Sequence, residues 1–167
     1  EKPSTLNGTK IVQHMLDNTT LLIGHNIAYD LVWLWESGFK YNGKVFDTML
    51  GEYVLQRGIK EPLSLEACAE RYELDTKKQD TLKEYFKQGY TTRDIPFNEL
   101  SDYLSHDLHA TQQLYNKITS RLLDGEDGVL QHTVDLTNEL CPVIAKIYRR
   151  GFAVSQYDYR LNGRYTY

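Results

Sequence analysis

The chain has 167 residues, of which 41% are hydrophobic and 25% charged, with a net charge of −4. This length suits one domain with one good core, and the composition is that of an ordinary globular protein. No apolar run reaches the roughly 18–20 residues that span a bilayer, and residues 1–5 do not resemble a secretory signal. The negative net charge also argues against a module that only binds nucleic acid through its phosphates, because such proteins are usually basic.

The first part of the chain alternates helical patterns with short apolar runs. Two of these runs, each bounded by polar or glycine residues, predict short buried strands. In chain order, the predicted elements are a helix at Gly8–Leu16, a strand at Leu21–Ile23, a helix at Ala28–Ser37, and a strand at Lys44–Phe46. Asp47 is predicted to cap a further helix that runs through Leu55.

The rest of the chain has only helical patterns. They predict helices at Ser64–Arg71, Leu82–Phe86, Phe97–Leu123 and Val129–Arg150, with a break between the last two at residues 124–128. Strand–helix–strand order points to an α/β layer with parallel strands. Two strands are too few for a stable sheet, so either the chain has strands that its apolar pattern does not mark, or part of the sheet lies outside the chain.

Cys68 and Cys141 lie far apart in helical patterns. Buried free thiols are favoured over a disulfide, so neither is expected to have a disulfide partner. Free thiols suit a reducing compartment such as the cytoplasm.

A candidate site comes from two segments far apart in sequence. Tyr103 and Asp107 are four residues apart in a helical pattern, so their side chains point the same way. Asp30 follows the polar turn after the first predicted strand. If these segments meet, two carboxylates and a phenol converge, which suits a divalent metal and an activated water.

These two segments resemble the second and third motifs of the DEDDy-type 3′–5′ exonucleases, in particular the proofreading domain of family A DNA polymerases. The second motif is similar to residues 26–30, an Asn followed by three residues and an Asp, and the third is similar to residues 103–107. The resemblance implies an RNase H-like α/β fold and removal of nucleotides from a single-stranded DNA 3′ end with two Mg²⁺ or Mn²⁺ ions.

The resemblance also implies a role for each candidate residue. Asp107 would bind the first ion directly, Asp30 would act through water on the second, and Tyr103 would place the attacking water. His25 and Asn26, in the turn before Asp30, are the candidate substrate-binding residues. Asn26 is also placed to cap the helix that follows.

The family's first motif, an Asp-x-Glu on an opening strand, is not found in residues 1–23, where the only acidic residues are Glu1 and Asp17. The opening strands are therefore expected to be absent and the sheet incomplete, with a predominantly helical C-terminal half. Two of four carboxylates would be missing, so we expect weak metal binding and little or no nuclease activity from this chain alone.

The predicted organisation has three parts. Residues 1–128 form the exonuclease-like domain, residues 129–154 resemble the helix that leads to a polymerase palm, and residues 155–167 form a tail without a predicted structure. A polymerase domain on the C-terminal side is the expected protein partner. The alternatives are an RNase D-like or Werner-like exonuclease, and a catalytically dead module that holds DNA or supports a polymerase.

Overall fold

The computed structural model describes residues 4–74, 81–123 and 125–153. They form seven α-helices, two strands and one 3₁₀ helix. In chain order the helices and strands are α1 (Ser4–Asp17), β1 (Leu21–Gly24), α2 (Ile27–Glu36), β2 (Lys44–Asp47), α3 (Thr48–Leu55), α4 (Leu65–Arg71), α5 (Thr81–Lys87), α6 (Phe97–Leu123), the 3₁₀ helix (Gly125–Leu130) and α7 (Gln131–Arg150). Among these residues, no helix is both long and apolar enough to cross a membrane.

The predicted strand–helix order is confirmed. Strands β1 and β2 pair in parallel, with Leu21 opposite Lys44 and Gly24 opposite Asp47. The connection between them runs through α2, as a parallel pair requires. The fold is mixed α/β and mostly helical, and the described residues contribute two strands to the sheet.

The helix ends follow from local sequence signals. The Asp47 carboxylate accepts hydrogen bonds from the backbone of Met49 and Leu50, so its predicted cap is confirmed. Ser64 precedes α4, and its hydroxyl caps that helix by accepting from the backbone of Ala67. Helix α7 ends where Gly151 adopts a φ of 64°, which favours glycine. Two boundaries differ from the prediction by more than one residue: α1 begins at Ser4 rather than Gly8, and the 3₁₀ helix precedes α7, which begins at Gln131 rather than Val129.

Side chains on the two faces of the sheet enter two separate clusters because successive strand residues point to opposite faces. Val45 packs with α2 and with the part of α7 that contains Cys141 and Ala145. Phe46 packs with α3, α4 and α6. The sheet is therefore a layer between helices. The C-terminal half of α6 contributes three residues at a spacing of four to the second cluster: Leu114, Ile118 and Leu122.

Cys68 and Cys141 are both fully buried, as predicted, and both thiols are free. They lie in different clusters, Cys68 with α6 and Cys141 with α2. Burial raises the pKa of the Cys141 thiol to about 12, so this group behaves as a small apolar side chain. The predicted tail at residues 155–167 lies outside the described residues.

Candidate active site

An open cleft of about 510 Å³ lies between α2 and α6, over β1. Asp30, in the first turn of α2, and Asp107, in the middle of α6, both line this cleft. Leu22 to Gly24 of β1 form part of the same lining. The two carboxylates predicted from separate segments are therefore brought to one cleft, at the carboxyl end of β1.

Both carboxyl groups sit where a negative charge is unfavourable. Asp30 is exposed as a residue, but partial desolvation of its carboxyl raises its pKa, and the charge of Asp47 raises it further. Burial also raises the pKa of Asp107. The Tyr103 hydroxyl and the electrostatic effect of His106 and His25 lower this pKa, but by less than burial raises it. A cation in the cleft would relieve these costs, and carboxylate oxygens are the ligands that Mg²⁺ and Mn²⁺ prefer.

Tyr103 is 37% exposed, and its hydroxyl interacts electrostatically with the Asp107 carboxyl group, one helical turn away. Partial burial raises the pKa of Tyr103, and the charge of Asp107 raises it further. The hydroxyl therefore keeps its proton at neutral pH and is able to donate a hydrogen bond to the carboxylate. A protonated hydroxyl at this position can also orient a water molecule beside Asp107.

The His25 ring is held by the protein on both sides. Nε2 lies 2.7 Å from the Leu63 carbonyl oxygen, and Nδ1 lies 2.9 Å from the Thr48 hydroxyl oxygen. A carbonyl oxygen only accepts, so Nε2 carries a proton. Burial lowers the pKa of His25, which favours a neutral ring. In a neutral ring Nδ1 is an acceptor for the single Thr48 hydroxyl proton, for which the Gly24 carbonyl oxygen, 3.1 Å from that hydroxyl, is the other acceptor. These contacts fix the turn after β1, and a contact from a ring nitrogen to DNA would have to break one of them.

The lowered pKa of His25 predicts a specific dependence of stability on pH. The unfolded chain binds a proton near pH 6.5 and the folded chain only at lower pH, so the His25 contribution is complete above 6.5 and is lost as the pH falls through the folded pKa. We expect the wild type to lose more free energy of unfolding than His25→Gln between about pH 7.5 and about pH 5.5. Urea denaturation at both values measures it.

Asp30 and Asp107 contribute to this pH dependence with the opposite sign, because their raised pKa values favour the folded state as they protonate. Both proteins contain Asp30 and Asp107, so this contribution cancels when the change in unfolding free energy of His25→Gln is subtracted from that of the wild type. Equal losses in the two proteins would show that His25 is not held neutral by the fold.

One prediction for Asn26 is wrong. The residue occupies the position before α2, but its side chain makes no capping hydrogen bond, and its backbone adopts the left-handed conformation with φ 61° and ψ 45°. The reason is that the Asp47 carboxylate caps α2 instead. It accepts hydrogen bonds from the backbone N–H of Asn26 at 2.9 Å and of Ile27 at 3.0 Å. The residue is exposed beside the cleft, and its role in substrate binding stays a prediction.

Asp47 is the residue whose part in this site the sequence did not reveal. Its capping of α3 was predicted, but its bonds to the start of α2 were not. The parallel pairing puts Asp47 opposite Gly24, directly beside the turn that leads to Asp30. An acidic residue at the end of one strand, next to the turn after its parallel neighbour, is the signal that could have found it.

Residues 5–123 match the family model of the 3′–5′ exonuclease domain, which is more than half of the chain. The chain belongs to this exonuclease domain family of family A DNA polymerases. The match includes the turn after β1 and all of α6, and it ends before α7. The resemblance read from the two motifs is therefore confirmed.

A relative of this exonuclease domain is DNA polymerase I of Borreliella burgdorferi, which is 24% identical over 123 residues. The alignment covers 74% of this chain and 13% of that protein, so the chain spans a small part of the length of its relative. No solved structure gives a significant match.

The described part of this exonuclease domain contains no group of three or more His, Cys, Asp or Glu side chains that could hold a metal ion. Asp30 and Asp107 supply two carboxylates of the right chemistry to one cleft. The residues present thus include the type of ligand that a hard divalent cation prefers, and they supply part of the ligand set that such a site needs.

Proposed function

We propose that this chain acts as a proofreading domain that hydrolyses DNA 3′ phosphodiesters. The observation that carries the proposal is the cleft that receives Asp30 from α2 and Asp107 from α6, with Tyr103 one helical turn from Asp107 on the same helix. An acid pair beside a phenol suits hydrolysis by an activated water. The family membership adds the direction of attack, from the 3′ end.

The two carboxylates would hold Mg²⁺ or Mn²⁺, Asp107 by direct contact and Asp30 through water. Two such ions activate a water molecule and stabilise the charge that develops on the phosphate. The task of this chain is to hold both carboxylates at fixed positions and to direct a water with Tyr103. Because Tyr103 keeps its proton, it would orient this water as a hydrogen-bonding group and not as a base.

The remaining carboxylates would come from an acidic strand beside the edge of β1 that no strand of the described residues covers. Leu22 to Gly24 lie in the cleft, and Leu104 and Leu108 of α6 expose 56% and 62% of their surface beside them. A strand edge next to exposed apolar side chains is a surface that a further strand would cover. Such a strand would complete an RNase H-like sheet and bring its side chains next to Asp30 and Asp107.

The wider organisation follows from the same proposal. Helix α7 would lead from the exonuclease domain towards a polymerase domain, and the substrate would be a single-stranded DNA 3′ end. This arrangement would work in the cytoplasm of a bacterial cell, where both free thiols are stable.

A nuclease assay and a calorimetric titration with Mn²⁺ test the proposal together. We expect this chain alone to bind Mn²⁺ weakly and to release 3′ nucleotides from single-stranded DNA slowly or not at all. Robust cleavage that Asp107→Ala abolishes would contradict the need for further carboxylates. The absence of any Mn²⁺ binding in the cleft would contradict the proposed metal site.

A second candidate is a catalytically inert module that holds DNA or supports a polymerase. The observation that favours it is the lack of a three-ligand metal group among the described residues. The titration separates the two functions, because an inert module has no reason to bind Mn²⁺ at Asp30 and Asp107.

The role of Tyr103 gives a separate prediction. In Tyr103→Phe, the pKa of Asp107 is expected to rise further, because the interaction with the Tyr103 hydroxyl, which lowers this pKa, is removed. Carbon-detected NMR titration of the aspartate carboxyl groups measures the change. Tyr85→Phe is the matched control, since Tyr85 donates to Glu99 at 3.3 Å and the Asp107 pKa should then stay unchanged. An unaltered Asp107 pKa in Tyr103→Phe would show that the two groups are not coupled.

A further inference from the structure

The Asp47 side chain joins the starts of two helices. Its carboxylate accepts from Asn26 and Ile27 at the start of α2, at 2.9 and 3.0 Å, and from Met49 and Leu50 at the start of α3, at 2.9 and 3.4 Å. The residue is 1% exposed, so water cannot replace these bonds. One buried carboxylate therefore satisfies four backbone donors that the two helices leave without intrahelical partners.

A third helix is attached to the same residue. The backbone N–H of Asp47 donates to Oδ1 of Asn138, on α7, at 2.6 Å. Asn138 is 5% exposed, and its amide nitrogen donates to the Val134 carbonyl one turn earlier in α7 at 2.9 Å. Both ends of the Asn138 amide are thus fixed, and its orientation is set by α7 itself.

We propose that the Asp47–Asn138 pair is a positioning device through which α7 sets the start of α2, and with it the Asp30 carboxylate. The part that concerns metal binding rests on the proposed function of Asp30. If α7 shifts, the buried N–H of Asp47 loses its acceptor, which is costly, so β2 must follow. The carboxylate of Asp47 then moves with it, and so do the left-handed turn at Asn26 and the first turn of α2.

This coupling gives α7 a role in the site although it lies outside residues 5–123, which match the exonuclease family. Helix α7 also packs along α2, where Arg149 pairs with Glu36 at 2.6 Å. A carboxylate that must hold a metal ion needs support of this kind, because small displacements of a ligand weaken a site. Asn138 and Asp47 are positioning residues, since neither needs to touch substrate or metal.

The test compares Asn138→Ala with Val134→Ala by NMR. Val134 lies one turn away on α7 and is fully buried, but it is not bonded to Asp47. Both variants lose a buried side chain, and only the first removes the acceptor of the Asp47 N–H. We expect Asn138→Ala to speed amide hydrogen exchange at Asn26 and Ile27 by roughly tenfold more than Val134→Ala, after correction for the global stability of each.

A second readout on the same samples is Mn²⁺-induced line broadening around Asp30, which should weaken in Asn138→Ala and persist in Val134→Ala. If Asn138→Ala does not fold, Asn138→Ser takes its place with the same readouts. Exchange at Asn26 and Ile27 that matches the Val134→Ala control overturns the inference, whatever the metal result. Faster exchange in a protein whose wild type shows no broadening supports the positioning of α2 and contradicts the proposed metal site.

Discussion

An Asp107→Asn variant is expected to lose stabilisation by Mn²⁺ without losing stability in the absence of metal. Burial raises the pKa of Asp107, which means that the cleft disfavours its charge. The neutral amide should therefore leave the metal-free protein at least as stable at neutral pH. This advantage should vanish as the pH falls through the folded pKa of Asp107, where the wild-type carboxyl is itself protonated.

With metal, the order of stability reverses. A ligand at tenfold its Kd stabilises a folded protein by about 1.4 kcal/mol, and Asp107→Asn should gain almost none of this. Loss of a direct ligand should weaken binding by more than the roughly 10–100-fold caused by loss of an outer partner. Thermal unfolding with and without Mn²⁺ measures both effects.

Asp102→Asn is the matched control for this experiment. Asp102 is exposed on the same helix, outside the lining of the cleft, and the variant removes the same charge. Its stabilisation by Mn²⁺ should equal that of the wild type. Equal gains in Asp102→Asn and Asp107→Asn would show that any binding is diffuse and does not involve the cleft.

A Glu52→Ala variant is expected to lose about 3–5 kcal/mol of unfolding free energy, the largest effect on stability that we predict. Glu52 is 1% exposed, pairs with Arg71 at 2.6 Å, and accepts from the Tyr72 hydroxyl at 2.7 Å. The same hydroxyl accepts from Arg121 at 2.6 Å, so the network ties α3 to α4 and α6. Removing the buried carboxylate leaves Arg71, whose side chain is 27% exposed, without its ion-pair partner, and leaves the Tyr72 hydroxyl without its acceptor.

Glu36→Ala provides the comparison, because the Glu36–Arg149 pair has the same 2.6 Å distance at the surface. The Glu36 and Arg149 side chains are 54% and 49% exposed, so this variant should lose at most about 1 kcal/mol. Urea denaturation at constant pH gives both values. Similar losses in Glu36→Ala and Glu52→Ala would show that burial does not decide the strength of these pairs.

Much of the local structure can be read from the sequence because it depends on local interactions. The short apolar runs at Leu21–Ile23 and Lys44–Phe46 lie between polar or glycine residues, and both are strands. Asp47 and Ser64 precede helical patterns and cap them through bonds to residues two or three positions ahead. The spacing of Tyr103 and Asp107 also fixed their shared face once α6 was predicted.

The features that escaped prediction depend on contacts between distant segments. Asp47 and Asn138 are 91 positions apart, and their hydrogen bond depends on how α7 packs on β2. The left-handed backbone at Asn26 follows from the Asp47 carboxylate and not from the Asn26 side chain. The same holds for His25, whose partners Thr48 and Leu63 come from two later segments.

The central claim is that Asp30 and Asp107 hold divalent cations in one shared site, and paramagnetic broadening by Mn²⁺ tests it most directly. Backbone NMR spectra at increasing, substoichiometric Mn²⁺ identify the amides that lie near the ion. We predict that amides around Asp30 on α2 and around Asp107 on α6 broaden together at the same low Mn²⁺ concentration. Broadening confined to one of these segments, or to other acidic parts of the surface, would contradict a shared site.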